Sequence, residues 1–164
     1  MNYTIDKMTF DDWDAVRAIY EEGIATEMAT FETTVPDWDE WNASHLKICR
    51  LVVRADGKVI GWAALNAISH RQAYVGVAEV SIYIANHVQG MGIGKKLLGK
   101  LVKESEVENL WTLQAGVFPE NKASLAIHKA NGFREVGYRE RIGQLNGIWK
   151  DVILFERRSK IIGA

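Results

Sequence analysis

Apolar side chains at Trp13, Val16, Ile19, Tyr20 and Ile24 follow the three-and-four spacing of one helical face. Thr9, with Asp12 three residues on, supplies a start signal, so the pattern predicts a helix over residues 10–26. Residues 2–7 before it form a first strand, and residues 30–36 after it a loop. A second helix is expected from about residue 36 to 48, with Trp38, Trp41, His45, Leu46 and Ile48 along it. The period then changes. Leu51–Arg54 and Val59–Leu65 are β-rich runs around Ala55-Asp56-Gly57-Lys58, and Asp-Gly is a hairpin turn signal. A third strand, residues 75–84, pairs with the second. A helix follows, with Ile93, Leu97, Leu98, Leu101 and Val102 on one face. Residues 111–118 are a strand, and residues 121–131 a short helix ended by Asn131-Gly132. Strands near 133–141 and 148–156 join through a turn at Asn146-Gly147, and residues 157–164 form a loose tail. The order β-α-α-β-β-β-α-β-α-β-β predicts a mixed α/β fold, with a mainly antiparallel sheet flanked by helices.

Composition narrows the function classes. The chain has 164 residues, 48% hydrophobic and 25% charged, which suits one domain over residues 1–164. No linker or repeat divides it. A net charge of −1 lacks the basic stripe of a nucleic-acid binder. Cys49 is the single cysteine, and His45, His70 and His87 are scattered without ligand spacing, so no metal site is expected. No apolar run reaches the roughly 18 residues of a membrane span, and the first residues are polar. A cytoplasmic protein without membrane or nucleic-acid partners is expected. The tryptophans at 13, 38, 41, 62 and 111 are assigned to packing.

The densest chemical signal is Gln89-Gly90-Met91-Gly92-Ile93-Gly94, between a strand and a helix. Glycines let the backbone approach a ligand closely, and a helix start offers free N–H groups and a positive dipole end. Together they form a site for a pyrophosphate, with Lys95 and Lys96 adding charge. A Walker loop needs glycine at 89 and Ser or Thr at 96, where the chain has Gln89 and Lys96. The dinucleotide fingerprint needs glycine at 95 or 97, where it has Lys95 and Leu97.

Gln89-x-x-Gly92-x-Gly94 resembles the acetyl-CoA pyrophosphate loop of the GCN5-related N-acetyltransferase (GNAT) family. Asn121-Lys122-Ala123-Ser124, followed by Gly132-Phe133, resembles that family's second motif, and the resemblance runs over the whole chain. Thr30-Phe31-Glu32, Arg71-Gln72-Ala73-Tyr74, residues 78–84, Phe118-Pro119-Glu120-Asn121 and residues 147–152 are similar to the phosphinothricin and methionine-sulfone acetyltransferases within it. The resemblance implies the GNAT fold, a splayed sheet with an acetyl-CoA groove. It implies cofactor contacts at Ile82, Tyr83, Ile84, Gln89, Gly90, Met91, Gly92, Ile93, Gly94, Lys95, Asn121 and Ser124. Substrate contacts fall to Phe31, Glu32, Arg71, Tyr74 and Val80, and a homodimer is implied, with Trp149-Lys150-Asp151 completing the pocket across its interface.

The chemistry asks for a base, because an α-amino group with a pKa of about 7.7–8.0 is largely protonated at neutral pH. Glu79 is the candidate. Backbone N–H groups of Ile82, Tyr83 or Ile84 would stabilise the oxyanion, each donor being worth about 3 kcal/mol. Where many relatives carry a tyrosine this chain has His128, either the acid for the departing thiolate or a structural residue; the thiolate can also leave unaided. Arg71 suits a carboxylate, or an oxidised sulfur or phosphorus group, through paired hydrogen bonds. It favours a zwitterionic acceptor, a preference that a strongly acidic pocket would reverse. Two alternatives stand beside this: the same chemistry on a protein N-terminus, polyamine or aminoglycoside, and a non-catalytic acetyl-CoA sensor.

Overall fold

The computed structural model describes residues 1–164. Four helices and seven strands alternate as β1 (Thr4–Lys7), α1 (Trp13–Ala25), α2 (Trp38–Ser44), β2 (Leu51–Ala55), β3 (Lys58–Ala67), β4 (Val77–Ile84), α3 (Ile93–Val107), β5 (Thr112–Val117), α4 (Lys122–Ala130), β6 (Arg134–Leu145) and β7 (Ile148–Arg158). One seven-stranded sheet has the order β1-β2-β3-β4-β5-β7-β6. Every neighbouring pair is antiparallel except β4 and β5. The expected mainly antiparallel α/β fold is the one observed. No helix is long and apolar enough to cross a membrane.

Local chemistry sets the ends of these elements. A single 3-10 turn at Phe10–Asp12 leads into α1. The Asp12 carboxylate accepts from the Thr9 backbone N–H at 2.8 Å and meets Arg54 at 2.6 and 2.8 Å. Burial pushes Asp12 upward, but these hydrogen bonds outweigh it and hold the carboxyl below its ordinary range. Asp37 caps α2 by accepting from the Glu40 N–H at 2.9 Å. In the β2–β3 turn both central residues, Asp56 and Gly57, have positive φ, as a two-residue hairpin with the right twist requires.

α1 buries Trp13, Val16, Ile19 and Tyr20, and α3 buries Ile93, Leu97, Leu98, Leu101 and Val102. They pack on opposite faces of β4. Gly23 of α1 lies against the Tyr83 ring, whereas Gly94 of α3 lies beside Ile84 and, on α4, Ile127. Adjacent strand residues point to opposite faces. Odd-numbered positions of β4 from Glu79 to Tyr83 therefore face α1, and Val80, Ile82 and Ile84 face α3 and α4.

Several expected boundaries move. α2 ends at Ser44, where the His45 backbone turns extended. The third strand begins at Val77, because Gln72–Tyr74 form a 3-10 turn. β6 continues to Leu145 through two register irregularities. The loose tail is overturned: β7 runs to Arg158, Ser159 is buried and hydrogen-bonds Glu106, and Arg158 donates to the Ile162 and Gly163 carbonyls. These polar contacts anchor a segment with few apolar residues. Trp13, Trp41 and Trp62 are buried, in keeping with their assignment to packing.

Candidate active site

β4 and β5 pair in parallel over only three rungs, Val77 with Thr112, Ala78 with Leu113 and Glu79 with Gln114. Beyond Glu79 and Gln114 the strands separate, while β4 stays paired to β3 and β5 to β7. From Val80 onward the β4 edge facing β5 has no partner strand, so its backbone polar groups are available to a ligand. A groove of about 670 Å³ opens at this splay. Ile82, Ile84, Val117 and Ile127 are among its apolar linings, and the start of α3 lies at one end.

That helix start is a cradle. Gly90 and Gly92 have φ of +78° and +79°, with open space where a side chain would sit. Gly92 is the N-cap of α3, and no side chain caps the first turn. Unpaired N–H groups, the dipole end and close backbone approach meet at one spot. An apolar groove running from this cradle to Glu79 fits an extended apolar arm carrying a pyrophosphate, which is the chemistry of acetyl-CoA.

Most of the expected cofactor residues line this groove: Ile82, Tyr83, Ile84, Gln89, Gly90, Gly92, Ile93, Gly94, Lys95, Asn121 and Ser124. Met91 does not; it is exposed on the outside of the turn. Lys96 lies over the Tyr3 ring instead. The Asn121 side chain caps α4, accepting from the Ser124 N–H at 3.2 Å, and donates to the Met28 carbonyl at 3.2 Å. It thereby ties the loop after α1 to the groove wall, and Phe31 and Glu32 of that loop line the groove with Val80. Replacing Gly92 by Ala forces a Cβ into left-handed backbone, a penalty of about 1–2 kcal/mol. Acetyl-CoA binding measured by calorimetry is expected to weaken by about tenfold, with Gly94→Ala, whose Cβ would make ordinary contacts, as the milder control.

His128 also borders the groove, but its ring is buried between Phe133 and Phe155. Its Nδ1 lies 2.7 Å from the Ser124 carbonyl oxygen, which can only accept, so Nδ1 carries the hydrogen. Burial lowers its pKa, and Nε2 is buried with no partner. At neutral pH the ring therefore holds one proton, already donated to Ser124.

A second cavity, of about 710 Å³, lies on the α1 face of β4. It shares Thr30, Glu32, Glu79, Ser81 and Tyr83 with the groove, so the two meet at the splay. Glu79 stands at that meeting point. The second cavity also takes in Tyr20, Glu40, His45, Asn66 and Gln114. Three carboxylates line it, and no lysine or arginine does. Burial, with Glu32 nearby, pushes the Tyr20 hydroxyl up to about 12 and raises Tyr83 as well, so both phenols stay protonated. His45 stacks on Trp41 with Nδ1 2.8 Å from the Trp41 carbonyl, and burial lowers its pKa.

The expected clamp is not in this cavity. Arg71 and Tyr74 are exposed in the β3–β4 connection, the guanidinium 5.5 Å from the Tyr74 ring, and neither lines either cavity. Arg71 lies three residues beyond Ile68, which does. Trp149 is exposed, and Lys150 pairs with Glu120 over the Phe118 ring. Tyr20, His45, Asn66, Ser81 and Gln114 line this cavity without belonging to any site expected from the sequence. For Ser81 alone a local signal existed: strand alternation puts it on the face of Glu79.

Comparison with known proteins agrees with this geometry. The model of the acetyltransferase (GNAT) family matches residues 13–133. A phosphinothricin N-acetyltransferase of Alcaligenes faecalis is 35% identical over 160 residues, covering 94% of this chain and 81% of that protein. An L-methionine sulfoximine/L-methionine sulfone acetyltransferase of Pseudomonas aeruginosa is 25% identical, covering 88% of each. Among solved structures, a GNAT superfamily phosphinothricin acetyltransferase from Sinorhizobium meliloti in complex with acetyl-CoA superposes with a TM-score of 0.86. Its sequence identity is 28%, and the match covers 99% of this chain and 96% of that one.

Proposed function

This chain belongs to the GNAT family and is an acetyl-CoA-dependent N-acetyltransferase, and we propose that it acetylates the amine of a small amino-acid-like acceptor of the phosphinothricin or methionine sulfone type. The observation that carries the reading is Glu79 at the junction of the two cavities. Acetyl-CoA supplies a thioester carbonyl and a thiolate leaving group. In this reading Glu79 takes the proton that keeps the acceptor amine from attacking. Unpaired backbone N–H groups between Val80 and Ile84 stabilise the negative charge that develops on the carbonyl oxygen. His128 keeps ring and groove wall in place rather than acting as the acid, since its one proton is committed to Ser124.

The relatives' activities support the amino-acid class. Arg71, exposed three residues beyond the cavity-lining Ile68, is assigned the acidic end of such an acceptor in this reading. The same reading implies a cytoplasmic single-domain enzyme that pairs as a homodimer through the exposed Tyr138, Ile148 and Trp149 of β6–β7. A second reading, a polyamine acceptor, is favoured by one observation: the cavity lined by Glu32, Glu40 and Glu79 without a lysine or arginine.

Thiol release from acetyl-CoA tests both, with phosphinothricin, methionine sulfone, methionine sulfoximine, spermidine and a short peptide as acceptors. Release with the first three is expected, with Arg71→Ala raising their KM by about tenfold or more and leaving the acetyl-CoA KM unchanged. Release with spermidine alone would transfer the assignment to the polyamine reading. Sedimentation of the purified protein checks the dimer.

A further inference from the structure

Three polar side chains occupy one rung across three strands. Glu79 of β4 is the register partner of Asn66 on β3 and of Gln114 on β5. Register partners present their side chains on the same face of a sheet, and all three line the acceptor cavity. The two amides are engaged differently. Asn66 donates from Nδ2 to the Ser44 carbonyl at 2.7 Å and accepts from the Ser81 hydroxyl at 3.5 Å, and it makes no hydrogen bond to Glu79. Gln114 donates from Nε2 to Oε2 of Glu79 at 3.1 Å. This rung is also the last at which β4 and β5 pair. Gln114 therefore stands on the final fixed point before the strands diverge, where a carboxylate on β4 would otherwise have a free side.

We infer that Gln114 is a positioning residue for the base: by holding Oε2, it turns Oε1 of Glu79 toward the acceptor amine. The inference rests on the reading of Glu79 as the base. A neutral amide suits the task. It fixes a carboxylate through one directional hydrogen bond, whereas a Lys or Arg at this position would hold the carboxylate ionised and oppose proton uptake. The other titratable groups lining this cavity are Tyr20, Glu32, Glu40, His45 and Tyr83, and none hydrogen-bonds Glu79.

Two variants test it, beside Glu79→Gln. Gln114→Leu removes the donor and keeps similar bulk. Its kcat is expected to fall by about 10- to 100-fold, the scale of a misplaced reacting group, with the acetyl-CoA KM unchanged. Gln114→Glu places a second carboxylate on the rung. The acid limb of its kcat/KM–pH profile is expected to move to higher pH, because like charges this close share a proton. Repeating Gln114→Leu in the Glu79→Gln background separates the roles: a residue that acts only through the base costs nothing further there, whereas a merely structural one costs the same again. Wild-type kcat in Gln114→Leu, or the same loss repeated in the Glu79→Gln background, overturns the positioning role. If Glu79→Gln is inactive while both Gln114 variants behave as wild type, the base stands and only this inference falls. If Glu79→Gln itself turns over normally, both fall together.

Discussion

Glu79→Gln is expected to lower kcat by about 10²- to 10⁴-fold at neutral pH, the usual worth of a positioned base. Acetyl-CoA binding should be nearly unchanged, because glutamine keeps the size and its amide oxygen can still accept from Gln114 Nε2, now 3.1 Å from Glu79. The pH dependence sharpens the test. Glutamine takes no proton, so the variant must wait for acceptor amine that is already neutral. That fraction grows as pH passes the amine's own pKa, about 8 for an α-amino group. The deficit against wild type should therefore narrow between about pH 7 and pH 9. Steady-state thiol release across that range, with calorimetry of acetyl-CoA binding, checks both halves. A variant that matches wild type throughout removes Glu79 from the mechanism. A deficit that stays constant with pH assigns Glu79 to holding the acceptor rather than to taking its proton.

Trp62→Ala is expected to have the largest effect on stability. Trp62 is fully buried, its ring centroid 4.9 Å from Tyr83, 5.5 Å from Tyr20 and 5.6 Å from Trp41. Truncating a buried tryptophan costs about 3–5 kcal/mol. For a chain of this size that corresponds to a fall of about 6–20 °C in Tm. The loss extends to the site, because Tyr83 stacks on Trp62 and lines both cavities. Trp62→Phe is the informative partner. The indole Nε1 of Trp62 is buried with no hydrogen-bond partner, and such a group carries a desolvation penalty of about 1–3 kcal/mol. Phenylalanine removes it and keeps a ring against Tyr83. Its loss of Tm should be less than half that of Trp62→Ala, and its acceptor KM close to wild type. Equal losses in the two variants would mean that the full indole shape, not aromatic contact with Tyr83, holds this part of the core.

Legibility in the sequence followed the range of the interactions. The glycine cradle could be read because its ingredients are consecutive: a strand, three glycines in five residues, and a helix whose apolar face repeats every turn. The β2–β3 hairpin was equally plain, since Asp56-Gly57 carries its own backbone demand. His45 shows the opposite case. Its spacing from the other histidines speaks only against a metal site, whereas in the fold it stacks on Trp41 at a cavity wall. Arg71 has the chemistry of an acceptor clamp and the resemblance around it, yet it is exposed and lines neither cavity. Residue type says what a side chain can bind, not which cavity the chain turns it toward.

By itself, then, the sequence determined the element order, the mixed sheet, the glycine cradle at the start of α3 and, through its family resemblance, Glu79 as the candidate base. Period, turn preference and helix starts are settled within about a dozen residues, so they survive in the linear pattern. Only the tertiary structure decided where β4 leaves β5, that the cavity on the α1 face carries three carboxylates and no lysine or arginine, and that Gln114 reaches Glu79 from 35 positions away. Those outcomes depend on strand order and register, which many separated segments fix together through packing.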